Sequence, residues 1–269
     1  MKHAPNAPGP TVICSTVAFF GLPLREAFTH IAGAGFGGVE VMVTRDPATQ
    51  DAGRIRELAE EHGLLVQAIH APFLLMTRKV WGTDPVGKID RAIELAEDAG
   101  TPLVVVHPPY RWQAGYRRWL DERLPELSEQ TEVKVAVENM FPVRLRGERG
   151  VTFHAKQQLT DLESFPHVVL DTSHAAVSGL DLMESVRRLR HSLAHVHLSN
   201  NAGRGWDSHL PVDQGVLPLA EFLELLGAEG FTGTVSLELD LRRYLEDGTA
   251  RDLLVRNREF CQARLPLPA

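Results

Sequence analysis

Six apolar runs in this chain end on a side chain able to hold a metal or a proton: Ile69-His70, Val106-His107, Val137-Glu138, Leu170-Asp171, Val196-His197 and Leu237-Glu238. A short continuous apolar run is the mark of a strand buried on both faces. A donor at its last position can reach whatever lies beyond the strand's C-terminal end. One such ending is ordinary. Six in order require strands whose C-terminal ends share one face, with the chemistry gathered there.

The segments between these runs read as helices. The period-2 and short apolar signals predict strands over 11–19, 39–43, 64–69, 103–106, 133–137, 168–170, 194–198 and 234–237. Helical spacing predicts helices over 23–34, 51–62, 84–99, 116–130, 152–163, 180–189, 218–228 and 249–263, with Pro125 expected to break or kink the fourth. The 84–99 helix carries the fullest signals: Asp84 to cap it, Pro85 at its first position and Gly100 to end it. Alternating strands and helices imply a parallel sheet with crossover helices. Eight such units in 269 residues imply an α/β fold, a closed (β/α)8 barrel of one domain. The alternative, an open doubly wound sheet, lacks its glycine-rich loop, because Phe19-Phe20-Gly21-Leu22-Pro23 after the first strand is not GxGxxG. The barrel is expected over 11–264, with loose tails over 1–10 and 265–269.

Composition narrows the function classes. The formal net charge of −7 argues against a general nucleic-acid binder, whose affinity comes from phosphate neutralisation, while leaving room for a locally basic face. No apolar run reaches the roughly 18 residues of a membrane span, and the Pro-rich first ten residues do not read as a signal peptide. Cys14 falls in a predicted strand and Cys261 is distant from it. Buried free thiols in a reducing cytoplasm fit better than a disulfide.

In a parallel barrel the strand C-termini form the functional rim. His70, His107, Glu138, Asp171, His197 and Glu238 would stand on it, with His174 just past Asp171 and a later loop adding Asp207 and His209. Taken singly, each has a plain structural role: a strand-end histidine is usually hydrogen-bonded, and a rim glutamate usually salt-bridged. Together they are nitrogen and oxygen donors without thiolate, which suits Zn²⁺, Mn²⁺ or Fe²⁺. Gathering so many carboxylates without cations would cost several kcal/mol per unpaired charge. Nine donors exceed what one ion uses, so two or three divalent ions, Zn²⁺ favoured, with bridging carboxylates match the count. His195, two residues before His197, would point into the barrel one layer deeper. His30, His62, His154, His167 and His191 are expected away from the rim.

These motifs resemble the xylose isomerase-like TIM barrels, which include endonuclease IV-type AP endonucleases and sugar epimerases and isomerases. The resemblance runs from about Thr11 to Arg264 and rests on HAPF at His70, HPP at His107, ENM at Glu138, LDTSH at Asp171, HVHLSNN at His197, DSHLPVDQG at Asp207 and LELD at Glu238. The epimerase branch implies one metal on Glu138, Asp171, His197 and Glu238, with Glu138 and Glu238 as the catalytic acid/base pair. The endonuclease branch implies three zinc ions and nine ligands, adding His70, His107, His174, Asp207 and His209, and phosphodiester hydrolysis by a metal-activated water. In the first case His174 would turn to a substrate hydroxyl.

The chain departs from the endonucleases and from xylose isomerase itself. Cys14-Ser15-Thr16-Val17 replaces the endonucleases' GxHxS-like opening, and the region 20–42 looks closer to the isomerase branch. Phe73-Leu74 stands where endonucleases wedge apolar side chains into DNA, although simple packing of that loop is the favoured reading. Xylose isomerases pair the Glu138 position with a nearby lysine, and here Asn139-Met140-Phe141-Pro142 follows.

Arginines in the rim loops fit an anionic substrate. Arg144 and Arg146 directly follow Glu138's strand and are the phosphate-gripping candidates, and Trp112 and Trp206 could stack on a base or a sugar face. The expected function is metal-dependent phosphoester hydrolysis, the alternative a single-metal sugar or sugar-phosphate isomerase or epimerase. A third possibility is a barrel that has lost catalysis and serves as a partner subunit. The partner is accordingly a small phosphorylated or sugar substrate, or abasic DNA, and no membrane is expected.

Overall fold

The structure, a computed structural model, describes residues 10–142 and 151–265. Eight strands close in sequence order into a barrel: β1 Thr11–Ser15, β2 Gly38–Met42, β3 Leu65–His70, β4 Leu103–Val106, β5 Lys134–Glu138, β6 Val168–Asp171, β7 Leu193–Leu198 and β8 Thr234–Leu237. Every neighbouring pair is parallel, and β8 returns to β1 in the register Thr11–Thr234 through Cys14–Leu237. Closure leaves no sheet edge to protect.

Among the described residues ten α-helices accompany them: α1 Leu24–Gly33, α2 Ala52–His62, α3 Pro85–Ala99, α4 Ala114–Gln130, α5 Leu159–Leu162, α6 Thr172–Ser178, α7 Leu182–Leu189, α8 Leu219–Ala228, α9 Arg242–Glu246 and α10 Ala250–Gln262. The expected ends of α3 hold: Asp84 accepts from the Gly87 amide at 3.1 Å and Gly100 turns left-handed at φ 71°. None of the described helices is long and apolar enough to cross a membrane.

The strands are apolar on both faces because both are covered. Outward residues such as Val104, Val106 and Leu170 pack under the helices in the main core. Inward residues alternate with them, so the residue two positions before each rim donor lies one layer beneath it. Ala68, Val105, Ala136 and Val169 make a compact apolar layer with Leu103, directly under His70, His107, Glu138 and Asp171. On β7 and β8 the same positions are His195 and Ser236, both fully buried. The small side chains below leave room for large polar ones above.

Three expectations about elements are corrected. The first strand ends at Ser15, and 16–19 form a 3-10 turn that Ser15 caps through the Val17 amide. The helix expected over 152–163 is only the single turn α5, because its first half is used elsewhere: Tyr110 and His154 form an antiparallel bridge, with the Arg111 amide on the Phe153 carbonyl at 2.9 Å and the Ala155 amide on Pro109 at 2.8 Å. Finally, Pro125 does not break α4, which runs continuously past it. Pro125 lies on the exposed side, where the carbonyl it leaves without a partner can bind water.

Candidate metal centre

All nine expected donors converge at the C-terminal mouth of the barrel. Glu138, at the end of β5, is the hub. Its Oε2 faces His107 Nε2 at 3.1 Å and His70 Nε2 at 3.5 Å. Its Oε1 faces His174 and His197 Nδ1, each at 3.2 Å. The two oxygens of one carboxylate thus serve opposite halves of the cluster. Glu238 joins from β8, 3.2 Å from His197 Nδ1. Asp207 reaches in from the loop after β7, 3.3 Å from His174 Nε2 and 2.7 Å from His209 Nε2. The donors sort into overlapping sets whose ligand atoms lie within 4.8 Å of one another: His70–His107–Glu138, Glu138–Asp171–His197 and Asp171–His174–His209.

Backbone groups set the ring orientations. A carbonyl can only accept, so a ring nitrogen beside one carries the proton and the other nitrogen is left as the donor to a metal. Nδ1 of His70 meets the Ala71 carbonyl at 3.0 Å, that of His174 the Asn139 carbonyl at 2.9 Å, and that of His209 the Glu238 carbonyl at 3.1 Å. In all three, Nε2 is aimed at the carboxylates. His209 adopts φ 39°, a left-handed conformation that a non-glycine residue holds only when its surroundings impose it. Asp171 caps α6 by accepting from the His174 amide at 2.7 Å, so His174 sits in a helical first turn rather than the expected loop. Asn139 clamps Asp171's backbone from both sides, accepting its N–H at 2.6 Å and donating to its carbonyl at 3.0 Å. Ser173 donates to Asp207 at 2.5 Å and is itself held by Asn201 at 2.9 Å.

The cluster is mostly buried and highly charged. Burial alone would raise the Glu138 carboxyl, but the imidazoles of His197 and His107 outweigh it and hold it well below the usual carboxylate range. His197 is opposed by burial yet raised well above the ordinary imidazole value by Glu40, Glu238 and Glu138. Asp171 and Asp207 likewise raise His174 against burial, and Asp207 raises His209 to about 9. Burial wins at Asp171 and Glu238, which are pushed up, and at His107, which falls to about 4. Glu138 raises His70 against burial in the same way, so protons on His70, His174, His197 and His209 balance the charge of these carboxylates. Even so, Glu138 Oε2, Asp171 Oδ2 and Glu238 Oε2 are buried with no hydrogen-bond donor among the described residues. Orphaned anionic oxygens gathered among imidazole nitrogens fit divalent cations, which would take the place of those protons.

A family model described as "Xylose isomerase-like TIM barrel" matches residues 28–261. The chain belongs to this family. An uncharacterized protein of Mycobacterium tuberculosis is 32% identical over 270 residues, covering 93% of this chain and 96% of that one. Among solved structures, a D-tagatose 3-epimerase-like protein is 24% identical with a TM-score of 0.67, covering 94% of this chain and 98% of the other. An AP endonuclease, family 2, from Brucella melitensis is 20% identical with a TM-score of 0.69, covering 92% and 97%. Further structures of this fold are mainly sugar epimerases. At these identities the likeness is one of fold, and most characterised members of the family are enzymes.

Other expectations fare unevenly. Arg144 and Arg146 lie outside the described residues. Trp112 and Trp206 are 67% and 54% exposed; Trp112 stacks on Tyr110 near the rim, whereas Trp206's backbone carbonyl accepts from Asn201. His154 corrects the reading that kept it off the rim: its bridge to Tyr110 brings it there, its Nδ1 donating to the Pro108 carbonyl at 2.8 Å. Cys14 and Cys261 are free and buried. The main omission is Glu40, wholly buried on β2, with Oε2 at 2.7 Å from His195 Nε2 and 3.1 Å from His197 Nε2. Its signal was present: an acid in the middle of the apolar run Gly38-Val39-Glu40-Val41-Met42, where burial demands a partner.

Proposed function

We propose that this protein is a metal-dependent phosphoester hydrolase with a multinuclear centre. The observation that carries this reading is the burial of donors beyond those one ion needs. Glu138, Asp171, His197 and Glu238 suffice for a single metal; His70 and His107 add a set on one side of Glu138, and His174, Asp207 and His209 one on the other. Keeping five further ionisable groups in a largely buried site without a charge to hold is costly. When bound, closely spaced divalent ions supply an acidified water and neutralise charge that builds on a phosphate. The chain's part is to hold them through Glu138, orient the imidazoles through Ala71, Asn139 and Glu238 carbonyls, and exclude bulk water.

A second reading is favoured by Glu138 and Glu238, both 3.2 Å from His197 Nδ1: a single-metal sugar isomerase or epimerase in which they form the acid/base pair. The D-tagatose 3-epimerase-like relative in fold supports it. Elemental analysis combined with incision of an abasic-site duplex separates the two. Two or three ions per chain and incision with Zn²⁺ or Mn²⁺ are expected; one ion per chain and no incision would move the assignment to the isomerase.

A further inference from the structure

Beside the metal centre, the loops after β3 and β4 and the 151–155 segment enclose a groove of about 450 Å³, within the range of small-molecule sites. Its walls are Phe73, Leu75, Tyr110, Trp112 and Phe153, with Arg78 at its margin. Trp112 lies flat on Tyr110, with ring centroids 4.8 Å apart and planes 2° from parallel, and Tyr110 in turn stacks on His154 at 4.4 Å. Trp112 nevertheless remains 67% and Leu75 76% exposed. An exposed stacked aromatic surface of this kind is expensive unless something covers it.

Two features say what would. First, the groove borders the metal centre: Phe73, one of its walls, packs against His107 with centroids 6.0 Å apart. A molecule reacting at the metals would extend its remaining part here. Second, several of the polar atoms at its back are already committed to the backbone. Lys88 Nζ donates to the carbonyls of Pro72, Thr77 and Arg78 at 2.7, 3.3 and 2.9 Å. Gln113 Oε1 accepts the Tyr110 amide at 2.8 Å, and His154 Nδ1 is spent on Pro108. A polyhydroxylated sugar would surrender its water bonds to mostly apolar walls, whereas a flat aromatic ring would lose few and gain stacking. Arg78 has no carboxylate within ion-pair distance among the described residues, and suits a negatively charged group on the same molecule.

We infer that this groove is the subsite for a flat aromatic ring, such as a nucleobase, carried by the substrate whose phosphoester lies at the metal centre. It rests on the proposed hydrolase only for where the reacting end sits.

Calorimetric titration of the metal-loaded protein with adenosine 5′-monophosphate, phenyl phosphate and ribose 5-phosphate tests it. Both ring-bearing phosphates are expected to bind about tenfold or more tightly than ribose 5-phosphate, on the scale of base–aromatic stacking. The margin of the nucleotide over phenyl phosphate distinguishes a purine from any aryl group. Trp112→Ala and Leu75→Asp, both at exposed positions, should erase the ring preference and leave the ribose 5-phosphate affinity unchanged. Equal affinities for the three probes, or a preference that survives both substitutions, overturns the proposal. So does a protein that sediments as a dimer and is dissociated by Leu75→Asp, since a second copy would then own the groove. Repeating the titrations after chelation separates the two readings: a ring preference that persists without metal upholds the subsite even if the hydrolase assignment fails.

Discussion

The imidazole of His197 is shared between two carboxylate environments: its Nε2 lies 3.1 Å from Glu40 Oε2, below the rim, and its Nδ1 lies 3.2 Å from Glu138 Oε1, within the cluster. A proton on Nε2 held by Glu40 leaves Nδ1 as the metal donor and raises its basicity. Ser15 steadies the same carboxylate by donating to Oε1 at 3.2 Å, and His195 approaches Oε2 at 2.7 Å while its other nitrogen meets Thr234. Glu40→Leu should therefore weaken metal affinity about 10- to 100-fold, measured by competition with a chromophoric chelator. In a His197→Ala background the same substitution should have no further effect. Full affinity in Glu40→Leu would show that Glu40 only fills the barrel.

The outer donor sets predict metal counts. His107→Ala removes a ligand from the side of Glu138 Oε2, and His209→Ala one from the side of Asp207. Each should lower the metal content by about one ion per chain, measured by elemental analysis, and leave the ions of the other sets in place. Unchanged content in both variants would leave a single central metal, held by Glu138, Asp171, His197 and Glu238.

The pH dependence of the metal-free protein has a definite sign. Asp207 raises His209 to about 9, above an ordinary imidazole near 6.5, against the opposing effect of burial. A group with a raised folded-state value stabilises fully below its unfolded value and loses that contribution as pH rises through the folded one. The metal-free protein should accordingly lose thermal stability between about pH 7 and pH 9, when the imidazolium beside Asp207 becomes neutral. Divalent metal should restore it, because the ion replaces the lost proton. A flat or rising melting temperature over this interval after chelation would contradict the charge balance described for the cluster.

Much of this site was legible before the structure, and for a physical reason. A parallel barrel repeats one rule, an apolar run closed by a functional residue, and His70, His107, Glu138, Asp171, His197 and Glu238 all obey it. What escaped was set by contacts distant in sequence. Glu40 stands in the middle of its run and finds its partners on β7, 155 and 157 residues later. His154 follows no strand at all; its place on the rim comes from an antiparallel bridge to Tyr110, which also unwound the helix expected there. The cap made by Asp171 turned the loop expected around His174 into α6, an instance of local capping chemistry overriding weak propensity.

Lys88 offers a test of how the rim loop after β3 is held. It is 4% exposed and lies within α3, yet its ammonium makes no described ion pair; it donates to three carbonyls of the 72–78 segment. That segment carries Phe73 and Leu75 between the metal centre and the groove. Lys88→Met keeps the length and apolar body of the side chain but removes all three bonds, leaving carbonyls that must find water or stay unpaired. The cost should be about 2 kcal/mol or more, read from denaturant unfolding. Because no donor of the metal centre lies in the 72–78 segment, metal content should stay at the wild-type level. Ring binding in the groove should weaken together with stability, since Phe73 and Leu75 would no longer be held in place. A variant with wild-type stability would mean that water replaces the ammonium at those carbonyls without loss.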